Sequence, residues 1–360
     1  MGDILASKER LLVVFIRDLP GPLVDEIKAK FPQYELTVYR SEKGVPIPRE
    51  LWHWATILVT FHDLPDPEDA MNIKLIHSVS AGLDHLVHHP CMQNTNIPVT
   101  TSSGIHGPPI AEWTVMNWLV ASRDYVRTYE AQKKHVWGTL DEYMHRFHDQ
   151  AGRRVGILGY GSIGRQIARV SAALGMTVHA YTASPRSTPE SRRDTGYIVP
   201  GTGDADGTIP TSWHHGADRE SIHSFLAMGL DHLVISLPLT PQTTRLLGAD
   251  EFALLSDKCP HRGVKPYITN ISRGKVIDQD ALIAALKEGQ LSGAALDVTD
   301  PEPLPADHPL WDAPNLQLSP HVSSLGNEYF PRAMDILQLN LGRLERGESL
   351  VNEFKRRKGY

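Results

Sequence analysis

The chain alternates short apolar runs with stretches of helical periodicity. Apolar runs of strand length lie at residues 11–16, 35–39, 55–60, 75–79, 155–158, 176–181, 232–237, 266–270, 293–298 and 316–319. Helix-spaced apolar residues lie at 23–30, from about 110 to about 121, and at 163–174, 221–228, 279–288 and 328–346. This repeated strand-then-helix order predicts an α/β protein whose parallel strands are joined by right-handed crossovers.

A glycine motif follows the apolar run at 155–158. A helical stretch and a second strand-like run at 176–181 come after it, which is the order of a dinucleotide-binding unit. Gly159 permits the sharp turn, Gly161 lets the backbone approach a pyrophosphate, and Gly164 lets the helix pack close to the strand. Phosphate binding is favoured by the free N–H groups at the helix start. The predicted contacts of this loop are Gly159, Tyr160, Gly161, Ser162, Ile163 and Gly164.

The end of the second strand lacks the carboxylate that usually holds the ribose 2′-hydroxyl of NAD. Thr182 occupies that place, and Ser184 and Arg186 follow it. Hydroxyl groups beside an arginine suit a 2′-phosphate, because a guanidinium forms charge-assisted hydrogen bonds to it. We therefore predict a preference for NADP(H), with NAD(H) possible. In the alternative interpretation Arg186 only begins a solvated loop.

Composition narrows the class of protein. The 360 residues suffice for two domains, and the net charge of −6 gives no general attraction to nucleic acid or an anionic membrane. Apolar runs in the sequence fall short of membrane-spanning length. Cys91 and Cys259 lie far apart, which suggests reduced thiols in a cytoplasmic protein. Cysteine and histidine do not cluster at zinc-site spacing, so we expect no metal site.

Three segments lack a clear period. Residues 100–109 are rich in Ser, Gly and Pro and predict a loop, and the charged segment 123–150 is typical of a linker or packing arm. Segment 185–217 is dense in Ser, Thr, Pro, Gly, Asp and Arg, and is long for a connection inside a compact domain. It fits a mobile surface insertion or, alternatively, a flap over the adenosine end of the cofactor.

Polar residues follow three apolar runs in the second half of the chain: Arg273, Glu302 and His321. Strand ends on one edge of a parallel sheet gather at one crevice, so we expect these side chains to converge. Their chemistry suits reduction of a carbonyl, since histidine exchanges a proton near neutral pH and arginine binds a carboxylate through its planar fork. Each residue also has a purely structural interpretation, as an ion pair, a turn residue or a buried histidine.

The motifs around these residues resemble those of the D-isomer-specific 2-hydroxyacid dehydrogenases. The similar stretches are 159–164, 237–243, 270–278, 295–304 and 319–323, in matching order and spacing, and the resemblance runs from about residue 75 to about 344. It implies interconversion of a 2-oxo acid and a D-2-hydroxy acid by hydride transfer. Catalysis would use His321 as acid and base, Glu302 to stabilise its imidazolium form, and Arg273 on the substrate carboxylate. The departures from the family pattern are Thr182 and segment 185–217.

The resemblance also implies an architecture and further contacts. A Rossmann cofactor domain, residues 122–324, would be inserted into a flavodoxin-like substrate domain of residues 1–121 and 325–360. A homodimer would form through the cofactor domain, with segment 123–150 supplying an arm. Further cofactor contacts would be Leu237, Pro238, Thr243 at the pyrophosphate, Ile271, and Asp297 at the nicotinamide carboxamide. Substrate would be bound by Ser80, Ala81, Gly82 and Arg273.

Two other functions stay open. The related formate dehydrogenases carry Gln where this chain has Glu302, which argues against that activity. A nucleotide-sensing, corepressor-type binding protein on the same fold could retain all three polar residues. Steady turnover of a 2-oxo acid separates an enzyme from a sensor.

Overall fold

The structure is a computed structural model that describes residues 8–261 and 263–356. The chain forms two compact units. The first combines Met1–Ile105 with Gly326–Tyr360, and the second is His106–Leu325.

In the described residues, the first unit is built on a five-stranded parallel sheet of order β2-β1-β3-β4-β5. Its strands are β1 (Glu9–Phe15), β2 (Tyr34–Arg40), β3 (Ile57–Thr60), β4 (Leu75–Ser78) and β5 (Val99–Thr101). Its helices are α1 (Gly21–Lys30), α2 (Arg49–Trp54), α3 (Pro90–Asn94) and α12 (Tyr329–Glu345). Apolar side chains of the strands, such as Leu12 and Leu58, pack on Trp52 and Met92 of the helices to form a core.

The described part of the second unit has a seven-stranded parallel sheet of order β12-β11-β10-β9-β6-β7-β8. Its strands are β6 (Arg154–Leu158), β7 (Thr177–Thr182), β8 (Ser212–His215), β9 (His232–Ile235), β10 (Tyr267–Asn270), β11 (Gly293–Leu296) and β12 (Leu316–Leu318). Its helices are α4 (Gly107–Ser122), α5 (Tyr125–Lys133), α6 (Leu140–Met144), α7 (Ser162–Ala173), α8 (Pro189–Arg192), α9 (Arg219–Leu226), α10 (Ala249–Lys258) and α11 (Gln279–Lys287), with 3₁₀ turns at Gly274–Val276 and Pro309–Asp312. Separate apolar clusters cover the two faces of this seven-stranded sheet. Its central strands are therefore nearly continuous apolar runs and do not alternate between apolar and polar residues.

The prediction of two parallel α/β sheets is confirmed. Two local predictions were wrong. Thr100 and Thr101 belong to β5 rather than to a loop, and segment 185–217 contains α8 and the edge strand β8. Both strands are short and polar in composition, so tertiary pairing with β4 and β7 decides their conformation.

Segment 123–150 forms α5 and α6, and every residue of these two helices is at least partly exposed. Several large apolar side chains here face solvent, including Val126, Trp137 and Leu140, of which Trp137 is 97% exposed. Within residues 8–261 and 263–356, the helices all fall short of the length and apolarity needed to cross a membrane.

Candidate active site

The carboxyl ends of β10, β11 and β12 are joined by a ladder of backbone hydrogen bonds. The N–H of Asp297 donates to the carbonyl of Asn270 at 3.0 Å, and the N–H of His321 donates to the carbonyl of Asp297 at 2.9 Å. Asn270 ends β10, whereas Asp297 and His321 follow β11 and β12, and the three strands are neighbours in the sheet. The sequence motifs around 270, 297 and 321 are therefore brought together at one sheet edge, as parallel topology requires.

His321 and Glu302 are in direct contact at this edge. The Nδ1 atom of His321 lies 3.1 Å from Oε2 of Glu302, and the two side chains are 47% and 39% exposed. The other oxygen of Glu302 accepts the backbone N–H of Thr299 at 3.0 Å, which fixes the carboxylate. Because a carboxylate only accepts, Nδ1 carries the proton, and Nε2 makes no hydrogen bond within the described residues. The ring can therefore exchange a proton through Nε2.

His321 has a backbone φ of 56°, in the left-handed region that a residue with a β-carbon seldom adopts. Hydrogen bonds from the peptide groups that come after His321 hold this conformation. The N–H groups of Val322 and Ser323 donate to the Asp297 carboxylate at 2.9 and 3.0 Å, and the hydroxyls of Ser319 and Ser323 donate to it as well. Asp297 is only 2% exposed. Both of its carboxylate oxygens thus anchor the loop that carries His321.

Arg273 lies on the loop that follows β10. Its carbonyl accepts the Asn270 side-chain amide at 3.1 Å, and its Nη1 donates to Ser272 O at 2.8 Å. The next residue, Gly274, touches the backbone of Thr299 so closely that an added Cβ would lie 2.0 Å from the Thr299 carbonyl carbon. The arginine loop therefore packs directly on the loop that positions Glu302.

The glycine loop has the geometry that a pyrophosphate needs. Gly159 has φ of 96°, and a Cβ there would lie 2.3 Å from Ser236 O; a Cβ at Gly164 would lie 2.5 Å from Gly159 O. At Gly161, by contrast, an added Cβ would meet no described atom within 4 Å. Two glycines thus permit close backbone packing, while the third faces open space at the start of α7, where the first N–H groups lack helical partners. These residues fit a dinucleotide.

The other predicted cofactor residues lie at the carboxyl ends of the same sheet. Thr182 ends β7, and its hydroxyl donates to Ser184 O at 2.8 Å. Ile271 is buried beyond β10, and its N–H donates to Ile235 O. The Thr243 hydroxyl donates to Pro238 O at 2.7 Å, so it is used inside the loop that follows β9. Leu237 precedes that loop and packs against the core.

In the first unit, the loop after β4 presents unpaired backbone donors. Within the described residues, the N–H groups of Ala81, Gly82 and Leu83 make no hydrogen bond. The hydroxyl of Ser80 donates to Gly82 O at 2.7 Å and accepts from Ser78 at 2.8 Å, which turns the Gly82 carbonyl inward. Successive free N–H groups of this kind form an anion-binding concavity.

A buried histidine supports this loop. His77 is fully buried, and its Nε2 donates to Ala333 O at 3.1 Å, so Nδ1 accepts from the Thr100 hydroxyl. The hydroxyl of Ser102 lies 3.1 Å from Nε2 and donates to Ser78 O. Burial lowers the pKa of His77 to about 4, so the ring is neutral at neutral pH. Sequence reasoning missed this network, because a lone histidine inside an apolar run gives no sign of its partners.

With the geometry established, comparison with known proteins decides the family. The profile described as the NAD-binding domain of D-isomer-specific 2-hydroxyacid dehydrogenases matches residues 115–199 and 207–323, more than half of the chain. The chain belongs to the D-isomer-specific 2-hydroxyacid dehydrogenase family. The resemblance seen in the sequence is confirmed. As a member of this family, it is an NAD(P)-dependent oxidoreductase of the 2-hydroxyacid dehydrogenase type.

Relatives of this dehydrogenase include a curated enzyme. Glyoxylate/hydroxypyruvate reductase A of Salmonella paratyphi B is 28% identical over 296 residues, which cover 80% of this chain and 82% of the relative.

Solved structures of the family are similar over almost the whole length. A D-isomer-specific 2-hydroxyacid dehydrogenase from Xanthobacter autotrophicus Py2, in complex with NADPH and MES, has a TM-score of 0.73 at 28% identity, covering 97% of this chain and 99% of the other. An NADPH-dependent glyoxylate/hydroxypyruvate reductase from Sinorhizobium meliloti, in complex with NADP and sulfate, has a TM-score of 0.74 at 26% identity, covering 98% and 100%.

Proposed function

We propose that this dehydrogenase reduces a small 2-oxo acid to a D-2-hydroxy acid, with His321 as the acid that protonates the carbonyl oxygen. The observation that carries the proposal is the contact between His321 Nδ1 and Glu302, made on a loop anchored by Asp297. That contact leaves Nε2 as the ring atom able to exchange a proton. In the reverse direction, the same atom accepts the proton of the hydroxy acid.

The reaction divides between a hydride and a proton. When bound, a reduced nicotinamide supplies the hydride that reaches the carbonyl carbon. His321 Nε2 gives a proton to the carbonyl oxygen and becomes neutral, and it regains a proton from solvent through its exposed face. Glu302 accepts the Nδ1 proton and so keeps the ring oriented with Nε2 available for the transfer. Arg273 binds the substrate carboxylate and polarises the neighbouring carbonyl.

The donors of the loop at residues 81–83 are proposed as further carboxylate contacts. Their three N–H groups lack partners within the described residues, and Ser80 holds the loop in the conformation that presents them. On this basis the first unit is the substrate domain and the second is the cofactor domain. Glyoxylate and hydroxypyruvate are the first substrates to examine, because the Salmonella relative is named for them.

NADP(H) is the proposed cofactor, with NAD(H) as the alternative. Thr182, Ser184 and Arg186 stand where an NAD site usually carries an acidic residue, and Arg186 can bind a 2′-phosphate. Two structurally similar relatives are described in complex with NADPH or NADP. The hydroxyl and guanidinium groups at and after the end of β7 support this choice of cofactor.

We also propose a homodimer that uses the exposed apolar face of α5 and α6. Val126 on α5, Leu140 on α6 and Trp137 in the connection between the two helices are each more than half exposed. Clustered exposed apolar groups of this kind mark interaction surfaces. A cytoplasmic location is proposed from the thiols, since Cys91 and Cys259 are both free in the described structure.

The test is turnover of the purified full chain with glyoxylate, hydroxypyruvate, pyruvate and a branched 2-oxo acid, each with NADPH and with NADH. The proposal expects steady oxidation of NADPH with at least one acid, a higher kcat/KM with NADPH than with NADH, and a D product by chiral analysis. Cofactor binding without turnover would favour a nucleotide sensor. An L product would overturn the proposed stereochemistry.

A further inference from the structure

Segment 185–217 is folded onto the start of α7. The Tyr160 hydroxyl donates to Asp204 at 2.8 Å, and the same carboxylate accepts the N–H groups of Thr208 and Ile209 at 3.0 and 3.2 Å. Tyr160 is also packed edge-on against Trp213, with ring centroids 4.9 Å apart. The segment is therefore fastened to a residue of the glycine loop itself, which differs from the expectation of a loosely attached surface insertion.

Side chains of α7 fasten the segment further along. Arg165 is 4% exposed and donates to the carbonyls of Asp204 and Arg192. Gln166 accepts the N–H of Gly203 at 2.6 Å. Buried polar groups that are satisfied in this way restrict a segment to one conformation, because releasing any of them leaves a desolvated donor or acceptor.

The segment holds Arg186 from two sides. Nη1 of Arg186 donates to Ser191 O at 2.6 Å, and the carbonyl of Arg186 accepts Nε of Arg192 at 2.9 Å. Ser191 is in turn fixed by the capping box with Thr188 at the start of α8. The guanidinium of Arg192 stacks over the ring of Trp213, 5.7 Å from its centroid. Arg192 thus links the backbone of Arg186 to the edge strand β8.

The remaining donors of Arg186 stay available. Among the described residues, its Nε and Nη2 make no hydrogen bond, and the side chain is only half-buried. A guanidinium with one donor tied to the protein and the others free loses less freedom when it binds an anion than a fully mobile one. Such preorganisation raises affinity for a phosphate without adding a contact.

We propose that Arg192 is a positioning residue for Arg186, and that segment 185–217 thereby sets the preference of this enzyme for a cofactor with a 2′-phosphate. This inference rests on the proposed use of NADP(H). Arg192 acts through Arg186 and through Trp213 rather than as an additional phosphate ligand. The effect is confined to the adenosine end of the cofactor. It therefore changes the affinity for NADPH relative to that for NADH and leaves the chemistry at His321 unchanged.

The variants Arg192→Ala and Arg193→Ala form a matched pair. Arg193 is the next residue, carries the same charge, and has an exposed side chain that pairs with Asp206 at 3.5 Å on the surface. Thr188→Ala provides a third variant, since it removes the cap that fixes Ser191 without changing the charge. Dissociation constants of NADPH and NADH are measured by titration calorimetry on the full-length variants, with thermal unfolding as a check of folding.

Arg192→Ala is expected to weaken NADPH binding about tenfold, the scale of one hydrogen bond to a charged group, with less than about a twofold change for NADH. Thr188→Ala should shift the ratio in the same direction, and Arg193→Ala should leave it unchanged. Arg192→Lys keeps the charge but not the Nε donor, so its dissociation constants for NADPH and NADH should resemble those of Arg192→Ala.

Several results overturn the inference. Equal weakening of both cofactors would indicate a merely structural role, and an equal loss in Arg193→Ala would indicate general charge attraction. Normal NADPH binding by Arg192→Lys would make Arg192 a charge contact. If the wild-type protein binds NADH more tightly than NADPH, both the proposed cofactor and this inference are wrong. If the wild-type protein prefers NADPH but Arg192→Ala leaves the ratio of the two dissociation constants unchanged, this inference alone is wrong.

Discussion

The backbone N–H of His321 donates to the carbonyl of Asp297 at 2.9 Å, and the Asp297 carboxylate holds the two residues that follow the histidine. The buried carboxylate of Asp297, directly after β11, therefore anchors the loop that positions the imidazole of His321. This relationship explains how a residue with a left-handed backbone can be held in one conformation.

Asp297→Asn tests that relationship. An amide has one accepting oxygen in place of two, so at least one N–H or hydroxyl of the 319–323 loop loses its partner. We expect a loss of roughly 1–3 kcal/mol in the free energy of unfolding, the range for an unsatisfied buried group, together with a lower kcat. Urea denaturation and steady-state kinetics measure the two effects. A fully active and fully stable variant would show that the anchoring is unimportant.

Glu302→Gln tests the partner of the histidine. The side chain keeps its shape, but its amide can donate to Nδ1 and stabilise the ring form that lacks a proton there. We expect kcat/KM for the 2-oxo acid to fall by about 10² or more, the lower part of the range for general acid–base catalysis. The Kd of NADPH should remain within about twofold of the wild type, since Glu302 follows β11 and the glycine loop follows β6, and these two strands are separated by β10 and β9 in the sheet. An unchanged kcat/KM would remove Glu302 from the mechanism.

Ser80→Ala tests the proposal that the loop after β4 binds the substrate. Loss of the hydroxyl releases the Gly82 carbonyl and removes a partner from Ser78, so the N–H groups at 81–83 should be less well ordered. We expect KM for the 2-oxo acid to rise about tenfold, the scale of one hydrogen bond to a charged group, with a smaller change in kcat. Ser103→Ala serves as a control on the neighbouring loop and should leave KM unchanged. A fall in kcat at constant KM would contradict a binding role.

The buried histidines predict a dependence of stability on pH. Burial lowers the pKa of His77 to about 4 and that of His232 to about 3, from an ordinary value near 6.5. The unfolded chain therefore binds more protons below pH 6.5, so stability is fully present above that pH and declines as pH falls toward 4.

For His77 the full effect is about 3 kcal/mol, since each pKa unit corresponds to ~1.4 kcal/mol. Urea unfolding at several pH values between 7.5 and 4.5 measures the slope. His77→Asn should show a shallower slope than the wild type, whereas the variant His88→Asn, at an exposed position, should keep the wild-type slope. An identical slope in His77→Asn would contradict the assignment.

Sequence patterns predicted the parts of the structure that follow from local periodicity and from the parallel direction of the strands. Gly159, Gly161 and Gly164 predicted the turn and the open approach to α7, and strand ends predicted that His321 and Glu302 would lie at one sheet edge. These features follow from apolar periodicity and from the direction of parallel strands. The roles of the individual site residues stay predictions.

Contacts between distant polar residues could not be predicted. Tyr160 and Asp204 are 44 residues apart, and the second of them lies in a segment without apolar periodicity. Likewise, the four groups around the Asp297 carboxylate and the partners of His77 are chosen by packing in three dimensions. Such pairs hold the loops in one conformation, but a single sequence does not show which polar groups form hydrogen bonds with one another.

We propose that Nε2 of His321 transfers the proton, and the variant His321→Gln removes the imidazole that would carry it. The measurement is kcat for reduction of the 2-oxo acid with NADPH, alongside the Kd of NADPH for the same variant. We expect kcat to fall by roughly 10²–10⁴ while the Kd stays within about twofold of the wild type. A variant that binds NADPH normally and reduces the acid at the wild-type rate would contradict it.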